Sequence, residues 1–334
     1  MKLPARMKAL VLDSAHAPLR LEPRPVPVPR DHEVLIRVSA SGVNPLDLKI
    51  RAGAAPHAKH PFPAILGIDV AGVVEAVGKD VSAFATGDEV FGMIGGVGGR
   101  QGSLAQFAAV DARLLAHKPV KLTMRQAAAI PLAFITAWEG LVDRACVRED
   151  QHVLIHGGAG GVGHMAIQIA SARGAKTFAT ASASNMAYVA SLGAVPIDYR
   201  MKTTDSYVAE HTRGRGFDIV YDTVGGHVLD ASFQAVKRFG HVVSALGWGT
   251  HALAPLSFKG ATYSGVFALL PLLTGIGRGH HGEILREATR LADSGRLTPR
   301  IDSQAYTLET ANDAHSAMAA SATTAGKVVI TINE

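Results

Sequence analysis

The stretch HVLIHGGAGGVGHMAIQIASARG (152–174) decides how this chain folds. It opens with a short apolar strand. It then carries G-x-G-x-x-G as Gly158, Gly160 and Gly163, with Ala159, Gly161 and Val162 in the intervening places. An apolar helix follows and stops at Gly174. The first glycine permits a tight turn, the second lets backbone approach a pyrophosphate, and the third lets the helix pack against the strand. The helix N-terminus presents unpaired N–H groups and a favourable dipole to negative charge. The pattern alone is weak, and a glycine turn without ligand is the competing reading. A strand before it and a helix after it are the context that binding requires.

The alternation continues outward. AKTFATAS (175–182) reads as strand, NMAYVASLG (185–193) as helix and AVPIDY (194–199) as strand. FDIVYDTVGG (217–226) and GHVVSALGWG (240–249) read as strands ending in glycine turns. Such units imply an α/β fold, a doubly wound parallel sheet with helices on both faces. Upstream the text is β-rich: MKALVL (7–12), EVLIRVSA (33–40, with alternating character), IDVAGVVEAVG (68–78) and GDEVFG (87–92) have strand composition. The proline-rich EPRPVPVPR (22–30) reads as a connector between the first two strands, its alternate prolines excluding helix. GGVGGRQGS (95–103) reads as a mobile loop. MRQAAAIPLAFITAWEGLVDRA (124–145) is helix-rich. Helices around 282–294 and 309–320 precede a last strand, KVVITI (327–332).

Composition narrows the function. The 334 residues suggest about two domains. With 48% hydrophobic and 18% charged residues, disorder is excluded for the chain as a whole. Aromatics at 6% argue against a stacking platform for sugars or single-stranded nucleic acid. The net charge of +5 is spread out, without a basic block, so no nucleic-acid partner is expected. The single cysteine, Cys146, allows neither an intrachain disulfide nor a cysteine zinc site. The 15 histidines, His57/His60 and His280/His281 among them, read as surface or capping residues, and no metal is expected. No apolar run reaches a membrane span, and the start lacks a signal peptide, with Met7 as an alternative first residue. A cytoplasmic protein without membrane contact is the expectation.

NAD-specific folds place an acid about 20 residues beyond the glycines to hold the ribose 2′-hydroxyl. Here no Asp or Glu occurs from Gln151 to Ile197, and the second strand ends TASASN (180–185). The absence of a carboxylate admits NADPH, with NADH as the weaker alternative. Ser182 and Ser184 are candidate donors to a 2′-phosphate, beside Asn185, and Tyr199 or Arg200 would complete the pocket. The other reading makes these residues ordinary caps for the helix near Asn185. Both hold together.

Seven segments carry a family resemblance: ASGVNPLDLKIRAG (40–53), PAILGIDVAGVVEAVG (63–78), GDEVFG (87–92), AAAIPLAFITAWEGL (127–141), HGGAGGVGHMAIQIA (156–170), FDIVYDTVGG (217–226) and AGKVVITI (325–332). The chain resembles a zinc-free medium-chain dehydrogenase/reductase of the quinone oxidoreductase (zeta-crystallin-like) family over residues 7–332. The resemblance implies a GroES-like β-rich catalytic domain, 1–125, completed by 270–334, and a Rossmann NADPH-binding domain, 126–269. It places the active site in the cleft between them and implies a homodimer or homotetramer. Zinc-dependent relatives have a cysteine in the segment reading GVNPLDLK and Gly-His-Glu in the segment reading LGIDVAG. Asn44 and Asp69 stand in those segments here. Many NADPH-using relatives carry Lys where Ser184 stands and a basic residue where Ala325 stands. Both departures loosen the grip on a 2′-phosphate.

Without a metal there is no Lewis acid to polarise a simple ketone. The acceptor must then be electrophilic already: a quinone, or the β-carbon of a conjugated enone or enal. By the resemblance, Asn44 lies at the nicotinamide and is a candidate donor to the acceptor oxygen, unless it is only a turn residue before Pro45. Asp47 is a catalytic candidate or a helix anchor. Thr136 resembles the threonine that faces the nicotinamide, and His156 matches a packing residue. Thr223 and Val224, Ala245 to Gly247 through Leu246, and Phe267, Ala268 and Leu269 are expected to flank the cofactor, because ligands sit at the carboxyl ends of strands. Residues 266–269 also match a dimer-edge strand, and Lys327 would close the cofactor cleft. Two further readings remain: an enoyl- or acryloyl-type C=C reductase, and a non-catalytic NADPH-binding protein.

Overall fold

The strands run β1 (Arg6–Val11), β2 (Arg20–Pro25), β3 (Glu33–Gly42), β4 (Asp69–Val77), β5 (Glu89–Met93), β6 (Phe107–Asp111), β7 (Leu115–His117), β8 (His152–Ile155), β9 (Lys176–Ala181), β10 (Val195–Asp198), β11 (Phe217–Asp222), β12 (Val236–Ser244), β13 (Thr262–Gly265) and β14 (Val329–Thr331). The helices used below are α1 (Pro45–Arg51), α2 (Met124–Ala128), α3 (Pro131–Trp138) and α4 (Gly161–Ala172). The computed structural model describes residues 3–320 and 326–333, so Ala325 lies outside the described residues. The chain divides into two compact units, Met1–Leu132 with Leu269–Glu334, and Ala133–Ala268.

The first unit is built on an antiparallel sheet in the order β14-β3-β4-β5-β7, with β6 also paired to β3. Side chains alternate along β3, as its composition suggests, but both of its faces are buried. Val34, Ile36 and Val38 enter one apolar cluster, and Leu35 enters another with Met7 and Ala9. The C-terminal β14 pairs with β3, Val329 opposite Gly42, and so joins the tail to the N-terminal sheet. Arg278, at the start of the helix Arg278–Asp293, donates to Asp111 at the end of β6 at 3.0 Å.

Two expectations are corrected. Part of the proline-rich stretch is strand: β2 pairs with β1, with Pro23 and Pro25 opposite Lys8 and Arg6. It lies at an edge, where a missing N–H leaves no ladder bond unmade. The glycine loop 95–103 is packed rather than loose. Gly98 donates to the Ala58 carbonyl and Gly102 to that of Ile65, both at 2.8 Å. Val97 and Ser103 are fully buried. A Cβ at Gly102 would stand 2.2 Å from the Leu66 carbonyl oxygen, so the glycines serve close backbone approach.

The second unit holds a parallel sheet in the order β10-β9-β8-β11-β12-β13. Counted within the unit this is 3-2-1-4-5-6, the Rossmann order, with the order of strand addition reversing between β8 and β11 while all strands stay parallel. The edge strand is Thr262–Gly265, and residues 266–269 follow it rather than form it. α3 continues into a π-helical turn, Glu139–Arg144, and the Tyr221 hydroxyl donates to the Thr136 carbonyl at 2.7 Å. The core centres on Phe178, which meets Phe217 edge-on at 5.3 Å. Replacing Phe178 by Ala should cost about 3–5 kcal/mol, and calorimetry should show the unfolding midpoint fall by roughly 10 °C.

Candidate active site

The glycine turn carries the spatial demands its sequence implies. A Cβ on Gly163 would lie 2.1 Å from the Gly157 carbonyl oxygen, and one on Gly158 would lie 2.7 Å from the Ala179 Cβ. Gly161 has nothing within 4 Å of that position. The His164 N–H closes onto the Gly160 carbonyl at 3.1 Å. The preceding N–H groups of Gly161, Val162 and Gly163 are the open first turn of α4. This cradle fits a pyrophosphate.

At the end of β9 the structure brings Ser182, Ser184 and Asn185 together. The two serine hydroxyls are 3.1 Å apart, and the Asn185 amide donates to Ser182 at 3.1 Å. Tyr199 and Arg200 follow β10, with the guanidinium 5.7 Å from the ring centroid. A carboxylate that the sequence reading missed stands beside them. Asp198 is in register with Ala181 and accepts from the Arg200 N–H at 2.9 Å. Its signal was present in AVPIDY, as an acid closing the neighbouring strand.

The ends of β11 and β12 are locked by Asp222. One of its oxygens accepts from the N–H groups of Val224 and Gly225, at 3.0 and 2.9 Å. The other accepts from the Ser244 hydroxyl at 2.7 Å. Ser244 in turn takes the Leu246 N–H at 3.0 Å, while the Ala245 N–H bonds the Asp222 carbonyl at 3.1 Å. Thr223 donates to the His156 carbonyl at 2.7 Å, which draws the end of β11 onto the glycine turn. Burial pushes the His156 ring down to about 4, against the opposing pull of Asp222, so it stays neutral. Val224 and Gly247 are exposed. Phe267 lies edge-on to Trp248, and Ala268 is buried in this unit, whereas Leu269 belongs to the first.

In the first unit the structure joins Asn44, Asp47, Asp69 and Lys327, all buried. Asn44 caps α1, and its N–H donates to the Asp47 carboxylate at 2.8 Å. The other Asp47 oxygen accepts from the Gly67 N–H at 3.2 Å. The Asn44 amide donates to Asp69 at 2.9 Å and accepts from the Lys327 ammonium. Lys327 is also 3.5 Å from Asp69, whose second oxygen takes the Leu132 N–H at 2.8 Å. Burial raises the Asp69 carboxyl, and Lys327 and Asn44 oppose it. Burial drives Asp47 up to about 7, with the nearby Asp69 charge adding to the shift. Thr136 sits in the other unit, on α3, and is buried.

Two family models match the chain: an alcohol dehydrogenase GroES-like domain over residues 30–120 and a zinc-binding dehydrogenase over 192–330. Human quinone oxidoreductase is 32% identical over 308 residues, spanning 91% of this chain and 91% of that protein. The chain belongs to the medium-chain dehydrogenase/reductase family. A second relative of this dehydrogenase/reductase is the NADPH-dependent alkenal/one oxidoreductase of Arabidopsis thaliana. It is 35% identical over 284 residues, 83% of this chain and 66% of that protein. A crystal structure of an alcohol dehydrogenase superfamily protein from Novosphingobium aromaticivorans superposes with a TM-score of 0.96 at 59% identity, covering 98% of this chain and 100% of that one. The chain is thus an oxidoreductase that uses a nicotinamide cofactor. The matching model's name implies zinc, but the donor set does not fit it. Asn44 and Asp69 are bridged by an ammonium rather than joined by thiolate or imidazole ligands. Among the described residues no three His, Cys, Asp or Glu side chains group as a metal site.

Two outcomes follow from this geometry. Gly163→Ala should lower cofactor affinity at least tenfold in a fluorescence titration, whereas Gly161→Ala should change it less than threefold. Asp47 has a carboxyl pKa raised in the folded state from 3.8 to about 7, so the native form retains a proton that the unfolded chain releases. Its contribution to stability is complete below about pH 4 and is lost as pH rises to about 7. Buried His156 and His315, both held near 4, act in the opposite sense. The denaturation midpoint of Asp47→Asn should therefore rise relative to that of the parent as pH rises from 4 to 7.

Proposed function

We propose that this protein is an NADPH-dependent, metal-free reductase that delivers hydride to a quinone or to the β-carbon of a conjugated enone or enal. The observation that carries the reading is the Asn44–Asp69–Lys327 cluster. It spends the two segments set against the zinc-dependent relatives on an amide–ammonium–carboxylate network, which leaves the acceptor to be activated by its own conjugation. The names of the two relatives, a quinone and an NADPH-dependent alkenal/one oxidoreductase, favour the same chemistry.

The bound cofactor supplies the hydride. The first turn of α4 binds its pyrophosphate through backbone N–H groups. Ser182, Ser184, Asn185, Tyr199 and Arg200 take the 2′-phosphate end, with Arg200 offsetting Asp198. Asp222 holds the loops at Thr223–Val224 and Ala245–Gly247 in place along the cofactor, together with Phe267 and Ala268. In the first unit, Lys327 and Asn44 supply hydrogen bonds, and the proton that completes reduction comes from water or a side chain. Thr136 and Leu269 complete the nicotinamide surroundings, and the protein works as a homodimer or homotetramer.

The test is cofactor oxidation with NADPH and NADH against an ortho-quinone, a para-quinone, an α,β-unsaturated aldehyde and a saturated aldehyde. Turnover with NADPH and a conjugated acceptor, without turnover of the saturated aldehyde, is expected. Equal use of NADH would remove the 2′-phosphate assignment. Efficient reduction of the saturated aldehyde, abolished by a zinc chelator, would overturn the metal-free reading.

A further inference from the structure

Trp248 follows the end of β12, and Phe267 follows the end of β13. The two strands are parallel neighbours, with Ser244 opposite Gly265, so both rings stand at the carboxyl edge of one sheet. That edge is where open α/β sheets hold their ligands. The rings meet edge-on at 87°, with centroids 6.3 Å apart. Trp248 is 56% exposed, whereas the chain's other tryptophan, Trp138, is buried.

A lone exposed apolar side chain is ordinary. Trp248 differs because its backbone is built to hold it out. On its N-terminal side, the Leu246 N–H donates to the Ser244 hydroxyl at 3.0 Å, and Ser244 donates to the same Asp222 that locks the end of β11. Gly247 lies against Tyr263, whose hydroxyl oxygen would be 2.2 Å from a Cβ at that position. On the C-terminal side, Gly249 has φ of 114°, a conformation that other residues rarely adopt. The His251 ring faces the Trp248 carbonyl at 3.4 Å and the Asp230 carboxylate at 2.8 Å. The indole is thus held from both sides, directly after the Ala245–Gly247 segment that flanks the cofactor in the proposed function. An indole so placed offers a planar ring a large face, and offset stacking adds to what burial of area alone provides.

We propose that Trp248 is a specificity-determining residue whose indole, supported by Phe267, stacks on a planar ring of the acceptor. The assignment rests on the reductase reading. It narrows the acceptor from any conjugated carbonyl compound to a quinone or an enone whose reducible bond is joined to an aromatic ring.

The test measures kcat/KM with NADPH for 4-phenyl-3-buten-2-one and for its ring-saturated counterpart, 4-cyclohexyl-3-buten-2-one. The two enones differ in electrophilicity, so the readout is the phenyl-to-cyclohexyl ratio of each variant relative to the parent. Trp248→Leu keeps an apolar side chain and removes the ring. The ratio should fall at least about threefold in this variant, carried by KM, and Trp248→Phe should restore most of it. The indole is exposed, so both variants should keep the parent's circular dichroism. A smaller fall, a fall carried by kcat alone, or a Trp248→Phe variant no better than Trp248→Leu would overturn the assignment. A smaller particle for Trp248→Leu than for the parent in size-exclusion chromatography would also overturn it, because a second copy of the chain would then be what covers the indole.

A second arm needs no turnover. Calorimetry with NADP⁺ present compares 4-phenylbutan-2-one with 4-cyclohexylbutan-2-one, the saturated ketones that a metal-free reductase leaves untouched. The affinity ratio of phenyl to cyclohexyl ketone should fall in Trp248→Leu by the same factor. That result without NADPH oxidation by any acceptor would sink the reductase reading and leave the stacking site. Turnover of both enones with a ratio that Trp248→Leu does not move would do the reverse.

Discussion

A fully buried carboxylate, Asp69, organises the first unit. A buried charge is tolerated only when it is paired and hydrogen-bonded. Asp69 meets this condition by drawing in groups from distant stretches: the Asn44 amide at the cap of α1, the Lys327 ammonium on the C-terminal tail and the Leu132 N–H in the first turn of α3. The tail is set in place by backbone pairing with β3 and by this polar cluster beside it. Removing any one partner would leave a charge or donor stranded where water does not reach. The tail therefore belongs to the N-terminal unit although more than 130 residues of the other unit intervene.

The second unit solves the corresponding problem with another buried aspartate. Asp222 ties the ends of β11 and β12 through two backbone N–H groups and the Ser244 hydroxyl, and Thr223 ties the same loop to His156 beside the glycine turn. The backbone of these loops is thereby held in place by the chain's own hydrogen bonds, which is what preorganised binding asks for. In both units the buried aspartate serves to hold loops.

Much of this was legible in the chain. Gly158, Gly160 and Gly163 identify the turn because their spacing answers a steric demand, and the demand is local. The strand–helix alternation from 152 to 249 gave the parallel sheet for the same reason. The loop 95–103 misled, because glycines signal freedom in isolation and close packing in context, and only the neighbours at Ala58, Ile65 and Leu66 distinguish the two. β2 was hidden by its prolines, which are compatible with a strand only at an edge. Asp198 was overlooked because its relevance depends on strand register and not on distance along the chain.

By itself, the sequence determined the parallel α/β unit and the glycine turn, which follow from periodicity and steric need within a short window, while the GroES-like unit and candidates such as Asn44, Thr136 and Lys327 came from the family resemblance. Tertiary structure alone decided how those candidates combine. Asn44, Asp69 and Lys327 are far apart in the chain and became one cluster because β14 pairs with β3 and carries the ammonium to the buried carboxylate. The physical reason is that burial makes an unpaired charge costly, and which charges are buried together is a property of the packed molecule.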